Sequence, residues 1–300
     1  MTPVPKFPRL LSLCGALAAI TPPPGHAVEF IDPAALGFGP PAFTLDTTYQ
    51  STLDYDRGEN DLEMIETRVV LPLGKWKAGD VLFGVGVDYA WHHADFGGRE
   101  GLGTKDLHSL EARIGAAWRP QDSKWWALGF VSPGVASDFE AVDSDAFTIS
   151  GLGLLGYRWS EKLDLAAGVY ASYGLDETRV MGAIGFIWRP NDQWIVQATP
   201  PVVAIGWQPS TDWTLAVVAY PGGSSWEVAE TESGVRQVEL DLWRAAASVE
   251  KKIGEHWRVS VRGGVSFGGE LELRDADSRE ISSTDLEPAP FGAVALKWAF

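Results

Sequence analysis

Cysteine is almost missing from this sequence: Cys14 is the single one in 300 residues. A lone thiol closes no disulfide within the chain and builds no thiolate-rich zinc site. Basic residues are also short, with 24 Lys and Arg against 40 Asp and Glu and a formal charge of −16. That balance argues against a nucleic-acid partner, which needs a basic surface. Long apolar runs are missing too. After residue 30 no apolar stretch reaches 18 residues, so no helical membrane span is expected. The run from Leu10 to Ile20 is too short as well, since a spanning helix takes ~20 residues. It follows Lys6 and Arg9 and precedes a Pro-rich stretch ending in Gly25-His26-Ala27. Residues 1–27 therefore read as a secretory signal peptide, with small residues at the cleavage site. Leu13 occupies the place where a lipid-attachment motif has a small residue, so Cys14 is not an anchor and leaves with the peptide. Lys6 and Arg9 are the only charges lost with it, and 22 basic residues remain against 40 acidic ones.

What the chain has in quantity is tryptophan and glycine, 14 and 33 residues, which suits β structure with many turns. Residues 28–41 read as an irregular lead-in. From Ala42 the pattern alternates. Phe43, Leu45, Thr47, Tyr49, Leu53 and Tyr55 fall on one face and Thr44, Asp46, Thr48 and Gln50 on the other. The same period of two recurs over 81–93, 163–174 and 257–267. These strands run to ten residues or more, the length of a tilted strand that crosses a bilayer, ~9–11 residues. A soluble sandwich buries the apolar face; a membrane barrel turns it to lipid and keeps the polar face inside.

Tryptophan decides between the two. The segments 118–126, 158–165, 188–194, 207–213 and 251–257 are short polar turns flanked by Trp, three of them in the form Trp-Arg/Gln-Pro. Trp118, Trp126, Trp159, Trp188, Trp194, Trp207, Trp213 and Trp257 are expected on the outward phase; Trp125 is expected to be an exception and Trp76 is ambiguous. Trp gathered at one end of the hairpins reads as an interfacial girdle. The segments 131–146 and 268–289 read as long acidic loops at the other end. Six short turns, near residues 75, 121, 161, 191, 210 and 253, predict fourteen strands. Twelve is the alternative, because the hairpin 194–207 is short and broken by Pro200 and Pro201. The barrel would span 42–300, an all-β transmembrane antiparallel up-and-down barrel.

The chain ends on Gly292–Phe300, where Val294, Leu296, Trp298 and Phe300 share the outward face of a last strand. This resembles the C-terminal assembly signal of outer-membrane β-barrel proteins of Gram-negative bacteria, with Ala295 where that group often has Gly. The resemblance implies recognition by the barrel-insertion machinery, residence in the outer membrane and contact with its lipid and lipopolysaccharide. The Trp-turn-Trp layout and residues 200–222 look like uncharacterised barrels of the domain-of-unknown-function kind, which names an architecture and not an activity.

The polar phase carries Asp46, Glu66, Arg68, Asp88, Glu111, Arg113, Asp164, Glu239, Asp241, Arg258, Arg262 and Lys297. Glu66/Arg68 and Glu111/Arg113 each place opposite charges two apart on one face. Either they select a solute or they form an internal ion-pair network that stiffens the barrel. His92 and His93 are adjacent, so they face opposite sides and make a poor metal or catalytic pair. The Gly-rich runs 84–86 and 151–156 lie within strands and lack the strand-to-helix context of a phosphate loop. No cofactor, metal site or catalytic residue is expected. The expectation is a passive pore for small solutes or ions with weak cation preference. A closed structural or surface-recognition barrel is the alternative, and a lipid-acting barrel enzyme a remoter one.

Overall fold

The computed structural model describes residues 42–299, apart from 57–60, 141, 143, 175–176 and 200–201. The expected signal peptide and lead-in, and Phe300, lie outside the described residues. The strands are β1 (Ala42–Asp54), β2 (Asp61–Ala78), β3 (Val81–Asp95), β4 (Thr104–Trp118), β5 (Trp125–Ser137), β6 (Phe147–Ser160), β7 (Leu163–Gly174) and β8 (Glu177–Asn191). They continue as β9 (Trp194–Thr199), β10 (Val202–Ser210), β11 (Trp213–Glu227), β12 (Gln237–Ile253), β13 (Trp257–Arg274), β14 (Glu280–Leu286) and β15 (Ala289–Ala299). Each pairs antiparallel with its neighbour, and β1 pairs with β15 from Ala42↔Ala299 to Gln50↔Phe291, so the sheet closes. Strand β13 pairs with β14 through its outer part and with β15 through residues 257–266. Glu287 and Pro288 separate β14 from β15, and proline has no amide to give the ladder. The two are halves of one wall strand, which makes a fourteen-stranded barrel. The short pair β9–β10 belongs to the ring, which settles the count against twelve.

The wall obeys the alternation. Ile114, Val131, Leu155, Val169, Ile184, Val217 and Val261 stand exposed on the outside, as a lipid-facing surface requires. Val294 and Trp298 are exposed beside them, and Leu296 is on the same phase. Seven of the eight expected girdle residues are exposed at the turn end, all but Trp126. Trp194 stacks on Trp207 at 5.9 Å, and Trp257 meets Trp298 at 6.1 Å. Trp126 is inside at 5% exposure, and Trp125 is outside at 48%, the reverse of the expectation. Strand β5 begins at Trp125, which pairs with outward Tyr157; Trp126 therefore points in and covers Gly156. A Cβ on Gly156 would lie 1.9 Å from its Cε2. The first short turn falls at Gly79–Asp80 and not near 75, because β2 stays paired with β3 as far as Ala78↔Val81.

At the loop end the wall leaves the simple pattern. Gly223 in β11 and Gly268 in β13 have φ of +91° and +60°, and the β12–β13 register shifts between Asp241 and Trp243. Three neighbouring strands thus bend at one level. Among the described residues the β10–β11 ladder stops at Val203↔Ala219, and none beyond it in β10 holds the outer part of β11 in the wall. It crosses the mouth and forms a parallel bridge, Glu227↔Ser137, with β5. The Asp138 amide donates to the Glu227 carbonyl at 3.0 Å, and the Ala229 amide to Asp138 Oδ2 at 2.9 Å. The outer ends of β11, β12 and β13, with β14, form a flap over the lumen. One flap face, with Trp226, Val238, Leu240, Leu271 and Leu273, packs on Leu53, Leu62, Met64, Phe96, Leu102 and Leu107. A register shift between Gln50 and Leu53 turns Leu53 inward, and Tyr55 is buried with it, against the expected outward phase. Tyr55 donates to the Phe96 carbonyl at 3.2 Å; burial pushes its phenol pKa up. The segment 268–289, expected as a loop, is instead β13 continuing to Arg274 and then β14, and β5 takes 131–137.

Candidate functional site

The interior is polar where the alternation puts it. Strand β2 offers Glu66 and Arg68, β3 offers Asp88 and His92, and β4 offers Glu111 and Arg113. Arg68 Nε donates to Asp88 Oδ1 at 2.8 Å, and Arg113 Nη2 reaches Asp88 Oδ2 at 2.7 Å. Glu66 accepts from Arg244 Nη1 of β12 at 3.0 Å, a pair that spans the lumen. His92 Nε2 lies 3.9 Å from Glu66, and its ring meets Trp226 edge-on at 4.8 Å. His93 is on the outside, 2.8 Å from Asp106. The two histidines face opposite sides.

Nearer the mouth Arg179 Nη2 donates to Glu239 Oε1 at 2.8 Å and stands 4.0 Å from Asp241. Arg274 reaches Glu239 at 3.4 Å and Glu272 at 2.7 Å. Glu239 and Asp241 lie on the opposite phase of β12 from Arg244. They face the lumen because the flap leans inward and turns its former outer side toward β5–β8. Toward the turn end Arg262 pairs with Asp46, Arg189 donates to Asp164 at 3.1 Å, and Arg258 and Lys297 each reach Glu250 at 3.2 Å.

The twelve sequence-expected charges line the interior, and each has an ion-pair partner: Asp46, Arg68, Asp88, Glu111, Arg113 and Arg262 pair among themselves, and the other six pair with charges outside the set. The sequence reading missed Arg179, Arg189, Arg244, Glu250, Glu272 and Arg274. Arg244 and Glu250 were legible, since both sit on the polar phase of 244–252. Arg274 and Glu272 were hidden by the reading of their strand as a loop. For the buried pairs Arg113–Asp88 and Arg244–Glu66, removing one partner leaves an uncompensated charge at a cost of about 3–5 kcal/mol.

Space remains between the polar flap face and β4–β8. One cavity of about 60 Å³ is lined by Glu66, Arg68, Asp88, His92, Glu111, Arg113 and the serines 109, 132, 150 and 224. A second of about 70 Å³ is lined by Glu111, Tyr170, Ser172, Arg179, Glu239 and Arg274, again with Ser109, Ser150 and Ser224. The shared residues make them two chambers of one polar seam. It can hold water and small hydrogen-bonding or charged solutes. On the outer wall a shallow apolar depression of about 540 Å³ runs over Ala116, Ala127, Gly129, Gly153 and Ala167.

Solved barrels are similar to this chain at low identity. The COG4313 outer membrane channel from Pseudomonas putida F1 is 9% identical, with 94% of this chain and 100% of that one covered at a TM-score of 0.51. The P. putida toluene transporter TodX is 10% identical over 90% and 92% of the two chains, TM-score 0.46. A Pseudomonas aeruginosa FadL homologue is 9% identical over 90% and 93%, TM-score 0.45. No curated protein matches the chain. Residues 98–299, more than half of the chain, match the family described as Domain of unknown function (DUF6268), and the protein belongs to that family.

Proposed function

We propose that this protein is an outer-membrane barrel acting as a narrow passive pore for small solutes and ions, with a weak cation preference. The polar seam carries the reading: two joined chambers follow the flap, lined by hydroxyls and by charges of both signs. Chambers of about 60 and 70 Å³ admit solutes a few water molecules in size, since one water needs about 10–15 Å³ of such space. Export by the 1–27 signal peptide and insertion guided by Val294, Leu296, Trp298 and Phe300 belong to the same proposal, as does lipopolysaccharide around the loop end. The net charge of −16 favours cations over anions near the barrel. Proteoliposome swelling tests it: glycerol should enter faster than through empty vesicles, and a tetrasaccharide should be excluded. Equal exclusion of both by correctly folded protein counts against the pore.

The packing under the flap favours a second reading. Trp226, Leu62, Leu102, Leu107, Leu271 and Leu273 are almost fully buried, so much of the mouth is stoppered by a dry core. A closed structural or surface-recognition barrel would have this feature and would pass neither solute.

A further inference from the structure

We infer that Glu111 is the seat of cation selectivity, a binding site for one partly dehydrated monovalent cation at the neck between the two chambers. The inference rests on the pore reading and assigns its selectivity to one side chain. Glu111 lines both cavities. Its side chain is 34% exposed, whereas Asp88 is 5% and Glu239 6%. Those two carboxylates are held by guanidiniums at 2.8 Å or less. Among the described residues the cation paired with Glu111 is Arg113, at 3.8 Å, beyond hydrogen-bond reach. Glu111 therefore offers the seam a carboxylate whose charge is not spent on a close contact.

The surroundings are built for an ion with a small hydration shell. Ser132 is 2% exposed and lines the first chamber; among the described residues its Oγ has no hydrogen-bond partner, and Ser109 Oγ in both chambers has none either. A buried hydroxyl without a partner is costly unless a water or ion meets it. One carboxylate and neutral hydroxyls suit a single positive charge. A divalent ion would want more carboxylates. The space for the Glu111 side chain comes from Gly134: a Cβ there would meet Leu110 O at 2.7 Å and Glu111 Cγ at 2.9 Å.

The test is the reversal potential of the reconstituted full-length barrel across a KCl gradient. Wild type should prefer K⁺; Glu111→Gln should lose the preference while still conducting, and Glu111→Asp should keep its sign. Asp277→Asn, on the exposed outer loop, should leave the ratio as it is. A Glu111→Gln channel as K⁺-selective as wild type overturns the assignment. A silent wild type overturns the pore reading instead, and the seat is then read without conduction. Crystals soaked in RbCl should show an anomalous peak beside Glu111 that is lost in Glu111→Gln, and no peak in wild type overturns the seat.

Discussion

Gly153 and Gly156 lie three positions apart on β6 and so face opposite sides. Inside, a Cβ on Gly156 would run into the Trp126 ring; outside, a Cβ on Gly153 would meet nothing within 4 Å. Gly156→Ala should therefore destabilise the barrel by about 1–3 kcal/mol, the usual cost of overpacking a filled interior. Gly153→Ala should leave stability within about 0.5 kcal/mol, as for other surface changes away from special features. The unfolding midpoints of the two variants in one detergent decide this. Equal midpoints would mean that Trp126 is not fixed over Gly156. This pair also shows where sequence reading falters at the residue scale. Two adjacent tryptophans satisfy the alternation in either phase, and only the register Trp125↔Tyr157 chooses between them. Arg68 and Glu111 are the contrary case. Their placement followed from their spacing alone, because residues two apart on a strand share a face whatever they pair with.

Strands were the most legible elements, since period two is local information. The flap was not. It depends on a glycine bend in β11, an extra residue in β13 and the early end of β10, three features far apart in sequence that act at one level of the barrel. Its acidic residues also imitate a solvated loop; Glu239, Glu272 and Arg274 are in fact buried against one another. The flap edge is held to the wall at Glu227↔Ser137. If it moves during conduction, cysteines at both positions should form a disulfide under oxidation, reduce conductance, and release it when reduced. Unchanged conductance in the fully cross-linked form would show that the flap is static. Gly223→Ala should be poorly tolerated, because its φ is positive and its Cβ would lie 2.1 Å from Leu240 O. The closing strand β15 makes a different prediction. Val294 and Trp298 face outward while Lys297 points inward to Glu250. Deleting Phe300 should leave the chain unassembled in the periplasm, read as loss from outer-membrane fractions; normal levels there would remove the assembly role.

For the molecule as a whole, the ring β1–β15 leaves no free edge in the wall below the mouth, so unfolding has to break pairings all round. Unboiled protein should therefore migrate differently from boiled protein on a detergent gel. Fourteen strands lie between the eight that side chains just fill and the sixteen or more that enclose a channel. Strand number alone leaves the lumen undecided, and the side chains decide it. An apolar core fills part of the mouth and ion pairs line the rest, so the space left in the lumen is a seam and not an open bore. Architecture was legible from alternation, tryptophan and turn spacing; the state of the lumen was not, since it depends on how far the flap leans. Single-channel recording of the refolded protein in a planar bilayer tests this account most directly. It predicts small, discrete openings with weak cation preference. A barrel that shows the folded form on the gel and stays silent in the bilayer would contradict it.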